Sequence, residues 1–289
     1  MTISELLQTS AAYLKEKGSA TPRLDAELLL AEVLGASRIE LYTNFDKPLT
    51  SGEVDHYREL IRRRAALEPV AYILGRSYFR NLTLKVNRAV LVPRPETEIV
   101  VDAALSFLME KDWQRPPRVL DLGTGSGAIA ISVLAGFPQA DVTAVDLSGE
   151  ALSLAEENAR TAGFNGNIEF AMSDFFERLD PMETFDLIIS NPPYISEEEW
   201  PQLPPDVRDF EPRQALYGGL DGLDCFRRLA AEAPQFLRPG GCLVVEIGYR
   251  QGDPVRELFA GAAMFGHVDI EQDYAGNDRV AIACRDEAA

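Results

Sequence analysis

The chain changes its hydrophobic rhythm twice. Over roughly the first 70 residues apolar positions recur at helical spacing. Thr2 and Glu5, and again Thr50 and Glu53, stand three apart as in a capping box, and each pair predicts a helix start. Thr21 precedes Pro22, the order expected of an N-cap and a first helical residue. From there Leu24, Leu28 and Ala31 predict one buried face, and Gly35 a stop. The second capping box opens a helix expected to reach about Leu67, with its Arg62-Arg63-Arg64 run read as a solvated face. After Pro69 the spacing becomes two: Leu82, Leu84 and Val86 alternate, then Val90-Leu91-Val92 follow, which predicts a short β-hairpin over Tyr78 to Val92.

From residue 93 onward, short apolar runs and helical stretches take turns. Strands are predicted at 119–123, 142–147, 168–172, 187–190 and 243–247, and helices at 128–134, 150–162 and 225–236. Arg238-Pro239-Gly240-Gly241 predicts a turn. Such alternation implies a parallel sheet covered by helices on both faces. Val268 to Glu271 and Arg279 to Ala283 flank Gly276-Asn277 with no helix between, so the last strand is expected to run antiparallel. The expected organisation is a helical domain over 1–72, a hairpin linker over 73–92 and an α/β domain over 93–289.

Composition narrows the function. The chain has 289 residues, 28 Lys+Arg against 46 Asp+Glu and a net charge of -18, which opposes tight binding to a phosphate backbone. Direct nucleic-acid binding is therefore not expected. With His56 and His267 the only histidines and no C-x-x-C pair, a metal site is not expected either. Cys225, Cys242 and Cys284 are scattered and read as unpaired thiols of a reducing cytoplasm. The opening residues lack a signal-peptide pattern, and no apolar run nears the length that spans a bilayer. Nothing in the sequence specifies an oligomer, and a monomer is expected.

Two stretches carry chemistry. Asp121-Leu122-Gly123-Thr124-Gly125-Ser126-Gly127 joins a predicted strand to a predicted helix. Glycines there allow a tight turn and close approach to a ligand. The third glycine is one residue early for a dinucleotide loop, and no lysine is present for a P-loop. The spacing resembles the loop of class I S-adenosylmethionine-dependent methyltransferases; a plain turn and a dinucleotide site are the alternatives. Asp146 ends the next strand, where it would hold a ribose diol or cap a helix. After the third strand, Asp174 would accept from an adenine amino group, and Phe175 would pack on its ring or in the core.

The second stretch is Asn191-Pro192-Pro193-Tyr194, following an apolar strand. Methyl transfer to an amide or amino nitrogen needs position and electrostatics more than a base. Asn191 offers a side-chain carbonyl, Pro192 a backbone carbonyl stiffened by Pro193, and Tyr194 a flat face. Two such acceptors would hold the nitrogen through its N–H bonds and stabilise positive charge developing on it, an oxyanion hole with the sign reversed. An adenine or cytosine amino group and a glutamine amide fit equally; a simple turn remains the bland alternative.

These motifs, with Leu24 to Leu30, Pro69 to Gly75, Val92-Pro93-Arg94-Pro95-Glu96-Thr97-Glu98 and Phe210 to Leu223, cover nearly the whole chain. Together they resemble the HemK/PrmC family of protein-(glutamine-N5) methyltransferases, which act on peptide chain release factors. The resemblance implies a Rossmann-like class I methyltransferase sheet with an antiparallel terminal strand, plus a small all-α N-terminal domain for substrate recognition. It implies S-adenosylmethionine as cofactor and the glutamine of a Gly-Gly-Gln tip as substrate. By position Gly123, Thr124, Gly125, Ser126, Gly127, Asp146, Asp174 and Phe175 would bind the cofactor, with Arg94, Pro95 and Glu96 at the pocket edge. Asn191 would lie between cofactor and substrate, and Pro192, Pro193 and Tyr194 at the substrate amide. The chain departs from the family at Arg76-Ser77-Tyr78-Phe79-Arg80-Asn81, which puts the hairpin's contacts in doubt. The stretch 211–223 reads as a surface loop, a lid or a docking segment. Alternatives to this function are N6-adenine methylation of nucleic acid, glutamine methylation of a ribosomal protein, and a noncatalytic cofactor-binding scaffold.

Overall fold

A computed structural model describes residues 1–164, 166–262 and 264–287. Its contacts divide the chain into two units, Met1–Arg76 with Pro204–Phe210, and Ser77–Leu203 with Glu211–Ala289.

The first unit holds α1 (Ile3–Glu16), α2 (Pro22–Leu34), α3 (Arg38–Thr43), α4 (Ser51–Ala65), α5 (Val70–Leu74) and the one-turn α9 (Pro205–Arg208). Both expected capping boxes form, Thr2 with Glu5 and Thr50 with Glu53, and a third, Ser37 with Glu40, opens α3. Thr21 occupies the N-cap of α2 without capping it; its hydroxyl donates to Asp25 Oδ1 at 2.8 Å instead. The face assigned to α2 needs correction. Leu24 is exposed; Ala31 is buried as expected, but together with Ala26, Leu29 and Leu30, because the apolar positions 26, 29, 30 and 33 make a wider stripe than Leu24 and Leu28. The arginine run also needs correction. Arg64 is buried, and its Nε donates to Asp25 Oδ2 at 2.6 Å. Glu27, fully buried beside it in sequence, accepts from Arg23, Arg38 and Tyr42.

The second unit begins with the hairpin β1 (Arg76–Phe79) and β2 (Leu82–Lys85), shorter than expected, with Val90–Val92 outside any strand. Next come α6 (Thr97–Glu110), β3 (Arg118–Leu122), α7 (Ala128–Gly136), β4 (Asp141–Asp146), α8 (Gly149–Ala162), β5 (Ile168–Met172) and β6 (Phe185–Ser190). The unit ends with α10 (Asp224–Phe236), β7 (Leu237–Glu246), α11 (Gly252–Ala260), β8 (Phe265–Gln272) and β9 (Asp278–Arg285). Seven strands form one sheet in the order β5-β4-β3-β6-β7-β9-β8. Neighbours from β5 to β7 pair in parallel, and β9 runs antiparallel to both β7 and β8.

Alternation along the strands builds two cores. Val119, Val142, Leu187 and Val244 face the side covered by α6 and α7, whereas Leu120, Val145, Ile188 and Leu243 face the side covered by α10 and α11. No separate turn interrupts Arg238 to Gly241. β7 runs through it, and the glycines are absorbed as a break in the ladder where β6 advances from Phe185 to Leu187 and β7 from Leu237 to Cys242. The register sets Cys242 opposite Cys284 with Cα atoms 4.1 Å apart, and the two form a disulfide. The expectation of three unpaired thiols fails there, because pairing across strands is invisible in cysteine spacing; Cys225 is free. Among the described residues no helix is long and apolar enough to cross a membrane.

Candidate active site

The carboxyl ends of β3, β4, β5 and β6 open into one cavity of about 350 Å³, a size suited to a small molecule. Gly123, Thr124, Gly125, Ser126, Asp146, Asp174, Phe175, Asn191, Pro192, Pro193 and Arg94 line it. Gly127, Pro95, Glu96 and Tyr194 do not. Thr97, Gln214, Tyr217 and Arg228 do; Thr97 lies in the 92–98 motif and Gln214 and Tyr217 in the 211–223 stretch, but none of the four was assigned a role from the sequence.

The loop after β3 is held from below. Asp121, fully buried, accepts from the Thr124 hydroxyl at 2.7 Å and from the Ala130 amide at 3.2 Å through Oδ2. Its other oxygen, Oδ1, has no partner among the described residues. Burial pushes this carboxyl up to about 7, against the opposing effect of its two donors. Gly127 starts α7 at φ 81°, and a Cβ there would stand 3.0 Å from Ile131 Cδ1 and 3.3 Å from Ala155 Cβ. Glycine is required at that point by both the backbone and the approach of α8. From α8, buried Asn158 donates to Ser126 O at 2.8 Å and exchanges bonds with both backbone groups of Lys85, so the hairpin and the glycine loop share one brace.

Asp146 stands at the end of β4. One oxygen accepts from Gly125 N and the other from Ser148 N, each at 2.9 Å. Ser148, rather than Asp146, caps α8. Burial raises the Asp146 carboxyl, and these backbone donors oppose the shift. After β5, Phe175 holds φ 50°, a left-handed conformation that bulky residues rarely adopt and that strain at a functional site often explains. Arg228 lies 4.8 Å over its ring and donates to Asp174 Oδ1 at 2.7 Å. Asp174 therefore already has a cationic partner.

At the end of fully buried β6, Ser190 Oγ donates to Leu122 O at 2.8 Å and ties that end to β3. Asn191 Nδ2 donates to Thr97 Oγ1 at 3.0 Å, and Thr97 Oγ1 donates to Glu246 Oε2 at 2.6 Å. Tyr194 turns away from the cavity wall, and its hydroxyl donates to Glu246 Oε1 at 3.1 Å. Burial raises both Tyr194 and Glu246 above their ordinary values. The backbone is clasped as well: Gln251 Nε2 donates to the carbonyls of Tyr194 and Gly222 at 3.0 and 3.1 Å. A Cβ on Gly218 would stand 2.7 Å from Pro193 O. Among the described residues none donates to Asn191 Oδ1 or to the Pro192 carbonyl. The turn thus keeps two acceptors unspent beside the glycine loop.

Besides the Gln251 bond to Gly222, the stretch 211–223 is held through Glu211 and through Ile195. Buried Glu211 accepts from Arg94 Nη2 at 2.5 Å and from Val92 N at 3.3 Å. Ile195 N donates to Leu216 O at 2.8 Å, and Gly218 N to Ile195 O at 2.9 Å. Gln214 and Tyr217 thereby reach the cavity wall.

Comparison with known proteins bears on this arrangement. Residues 5–75 match the model of the PrmC N-terminal domain, and residues 97–202 that of the methyltransferase small domain. The chain is 41% identical over 280 residues to the release factor glutamine methyltransferase of Rhodopirellula baltica, covering 96% of this chain and 95% of that one. It is 42% identical over 282 residues to the enzyme of the same name from Geobacter sulfurreducens, with the same coverage. The Bordetella pertussis relative of that name is 43% identical over 259 residues, 90% of this chain and 93% of its own. Among solved structures, a methyltransferase from Pyrococcus furiosus aligns with TM-score 0.52 at 20% identity over 79% of this chain and 98% of that one. The hMettl16 catalytic domain aligns with TM-score 0.55 at 16% identity over 78% and 82%. These two establish the shared methyltransferase fold, and the sequence relatives establish the lineage: the chain belongs to the release factor glutamine methyltransferase family.

Proposed function

We propose that the chain transfers a methyl group from S-adenosylmethionine to the side-chain amide nitrogen of the glutamine in the Gly-Gly-Gln tip of peptide chain release factors. The observation that carries this reading is the pair of unspent acceptors, Asn191 Oδ1 and Pro192 O, on residues that line the same cavity as the glycine loop. Membership of the family directs the choice of acceptor to a glutamine rather than a nucleobase.

The cavity fits this cofactor. Gly123 to Ser126 leave room for close backbone approach, Asp146 offers carboxylate lone pairs at the ribose position, and Phe175 offers a ring held by Arg228. The bound cofactor supplies a methyl group already activated on sulfur. The protein's part is to hold the acceptor. An amide nitrogen is a weak nucleophile because its lone pair is delocalised into the carbonyl. Asn191 Oδ1 and Pro192 O receive its two N–H bonds, aim the nitrogen into the cavity and stabilise charge that develops as it reacts. Pro193 fixes the direction of the Pro192 carbonyl. Tyr194 acts through its bond to Glu246, anchoring the turn. Residues 1–72 serve recognition of the release factor. The nitrogen that gains the methyl group sheds one of its two N–H protons to solvent, so no side-chain base is required.

The test is a methyl-transfer assay with labelled cofactor, offering release factor, ribosomal protein and duplex DNA in parallel. Label is expected on the release factor glutamine; label on DNA alone overturns the reading. Asn191→Ala is expected to lower kcat by about 10²- to 10³-fold while cofactor affinity stays within about threefold.

A further inference from the structure

An asparagine side chain has one accepting end and one donating end of nearly the same shape. If the Asn191 amide turned over, two N–H donors would meet the N–H donors of the substrate amide, and the site would repel the group it must hold. Something must therefore fix its sense.

We propose that Thr97 and Glu246 are positioning residues that set which end of the Asn191 amide faces the cavity. A threonine hydroxyl has a single proton. It can accept from Asn191 Nδ2 at 3.0 Å with a fixed sense only if that proton is committed elsewhere. Here it is committed to Glu246 Oε2 at 2.6 Å. Tyr194 fills the other oxygen of the same carboxylate from the opposite side, at 3.1 Å. In its ionised form, which Arg279 favours, Glu246 accepts from Thr97 on one oxygen and from Tyr194 on the other and has no proton to return. The reversed chain would require Glu246 to donate. Charge-assisted bonds of this kind are about twice as strong as neutral ones.

The parts come from different elements, which separates this arrangement from local capping. Thr97 is the first residue of α6, at a helix start with no side-chain cap, and Glu246 is the last of β7. Both are buried, Thr97 at 4% and Glu246 at 1% exposure. Arg279 favours negative charge on Glu246, and Glu96 opposes it. One carboxylate thus fixes two of the four residues of the acceptor turn, Asn191 and Tyr194.

This inference rests on the proposed amide methylation for its kinetic test, and a second test does not. Thr97→Val keeps shape and removes the hydroxyl. It is expected to lower kcat about 30-fold, with KM and cofactor affinity each within about threefold of the wild type. Thr97→Ser restores the hydroxyl and is expected to bring kcat back to within about threefold of the wild type. Full kcat in Thr97→Val overturns the proposal. So does parallel loss of kcat and cofactor affinity, or failure of the serine to rescue. Independently of activity, the Asn191 side-chain amide is followed by ¹⁵N-resolved NMR, with its signal identified by its loss in Asn191→Asp. Slow proton exchange at Nδ2 is expected in the wild type and in Thr97→Ser, and fast exchange in Thr97→Val. Equal exchange in the wild type and Thr97→Val refutes the positioning role even if methylation proceeds. Absence of wild-type methyl transfer to a release factor would refute the functional reading, leaving the NMR result to decide the positioning role alone.

Discussion

The two units bury carboxylates differently: both buried acids of the first, Asp25 and Glu27, lie against arginines, whereas the second treats Asp186 and Glu211 that way but not Asp121 or Glu246. In the first, Asp25 bonds to Arg64 and Glu27 to Arg23 and Arg38, and Tyr42, Arg38 and Arg23 hold Glu27 below the ordinary glutamate value although its burial acts against them. In the second, Asp121 and Glu246 receive only hydroxyl and amide donors, and burial carries both above their ordinary values. A cation beside a buried carboxylate consumes its accepting capacity and fixes two elements together. A carboxylate without one remains free to order neutral groups, and charge placed there costs stability. The helical unit uses its acids as braces. The methyltransferase unit braces Asp186 and Glu211 with arginines as well, but it uses Asp121 and Glu246 to orient a glycine loop and an acceptor turn.

The largest expected effect breaks a brace. Arg64→Met strands Asp25 in the interior and is expected to cost about 4 kcal/mol, read from denaturant midpoints of the first unit. Joining it to Asp25→Leu should recover most of that loss; no recovery would mean that the pair is not what destabilises the single variant. A somewhat smaller effect concerns Asp121. Its folded carboxyl stands at about 7 against an ordinary 3.8, so its contribution to stability is full below about pH 4 and is lost as pH rises through 7. Relative to Asp121→Asn, the wild type should lose about 3 kcal/mol between pH 5 and pH 8. A flat difference would place an unseen partner on Oδ1. Glu27 predicts the reverse sign, with stability lost only as pH falls through its lowered value. The smallest effect sharpens the contrast within a single run. Arg62 pairs with Glu59 in the open, and Arg62→Ala should leave the melting temperature unchanged.

The sheet and both chemical motifs were legible because their signals are local. Alternation, glycine spacing and a proline pair act within a few residues. Neighbourhood across the fold was not. Nothing near Thr97 announces Glu246, 149 residues away, and only the packing of α6 beside β7 joins them. Helix α6 itself escaped notice because its start lies in the Val92 to Glu98 run, which reads as a motif at the pocket edge, and its first turns include Ile99, Val100 and Val101, a β-branched run. Arg64 was misread for a related reason: side by side in sequence, Arg62, Arg63 and Arg64 point to different faces of α4, and only one points inward. The cysteine reading failed because register, not spacing, sets Cys242 against Cys284.

The placement of β9 has a consequence for how the protein is made. This strand comes after β8 in the chain but lies between β7 and β8 in the sheet. While the polypeptide is still emerging, β7 is therefore an open edge, and Arg279 has not yet reached Glu246. Domains fold as units as they are synthesised. The glycine loop and the Thr97, Tyr194 and Glu246 of the acceptor-turn anchor are all made before β9, which brings the ladder partner of Glu246, Val280, and the Arg279 charge. Glu246, which holds the acceptor turn, therefore ends an unpaired edge until β9 enters the sheet.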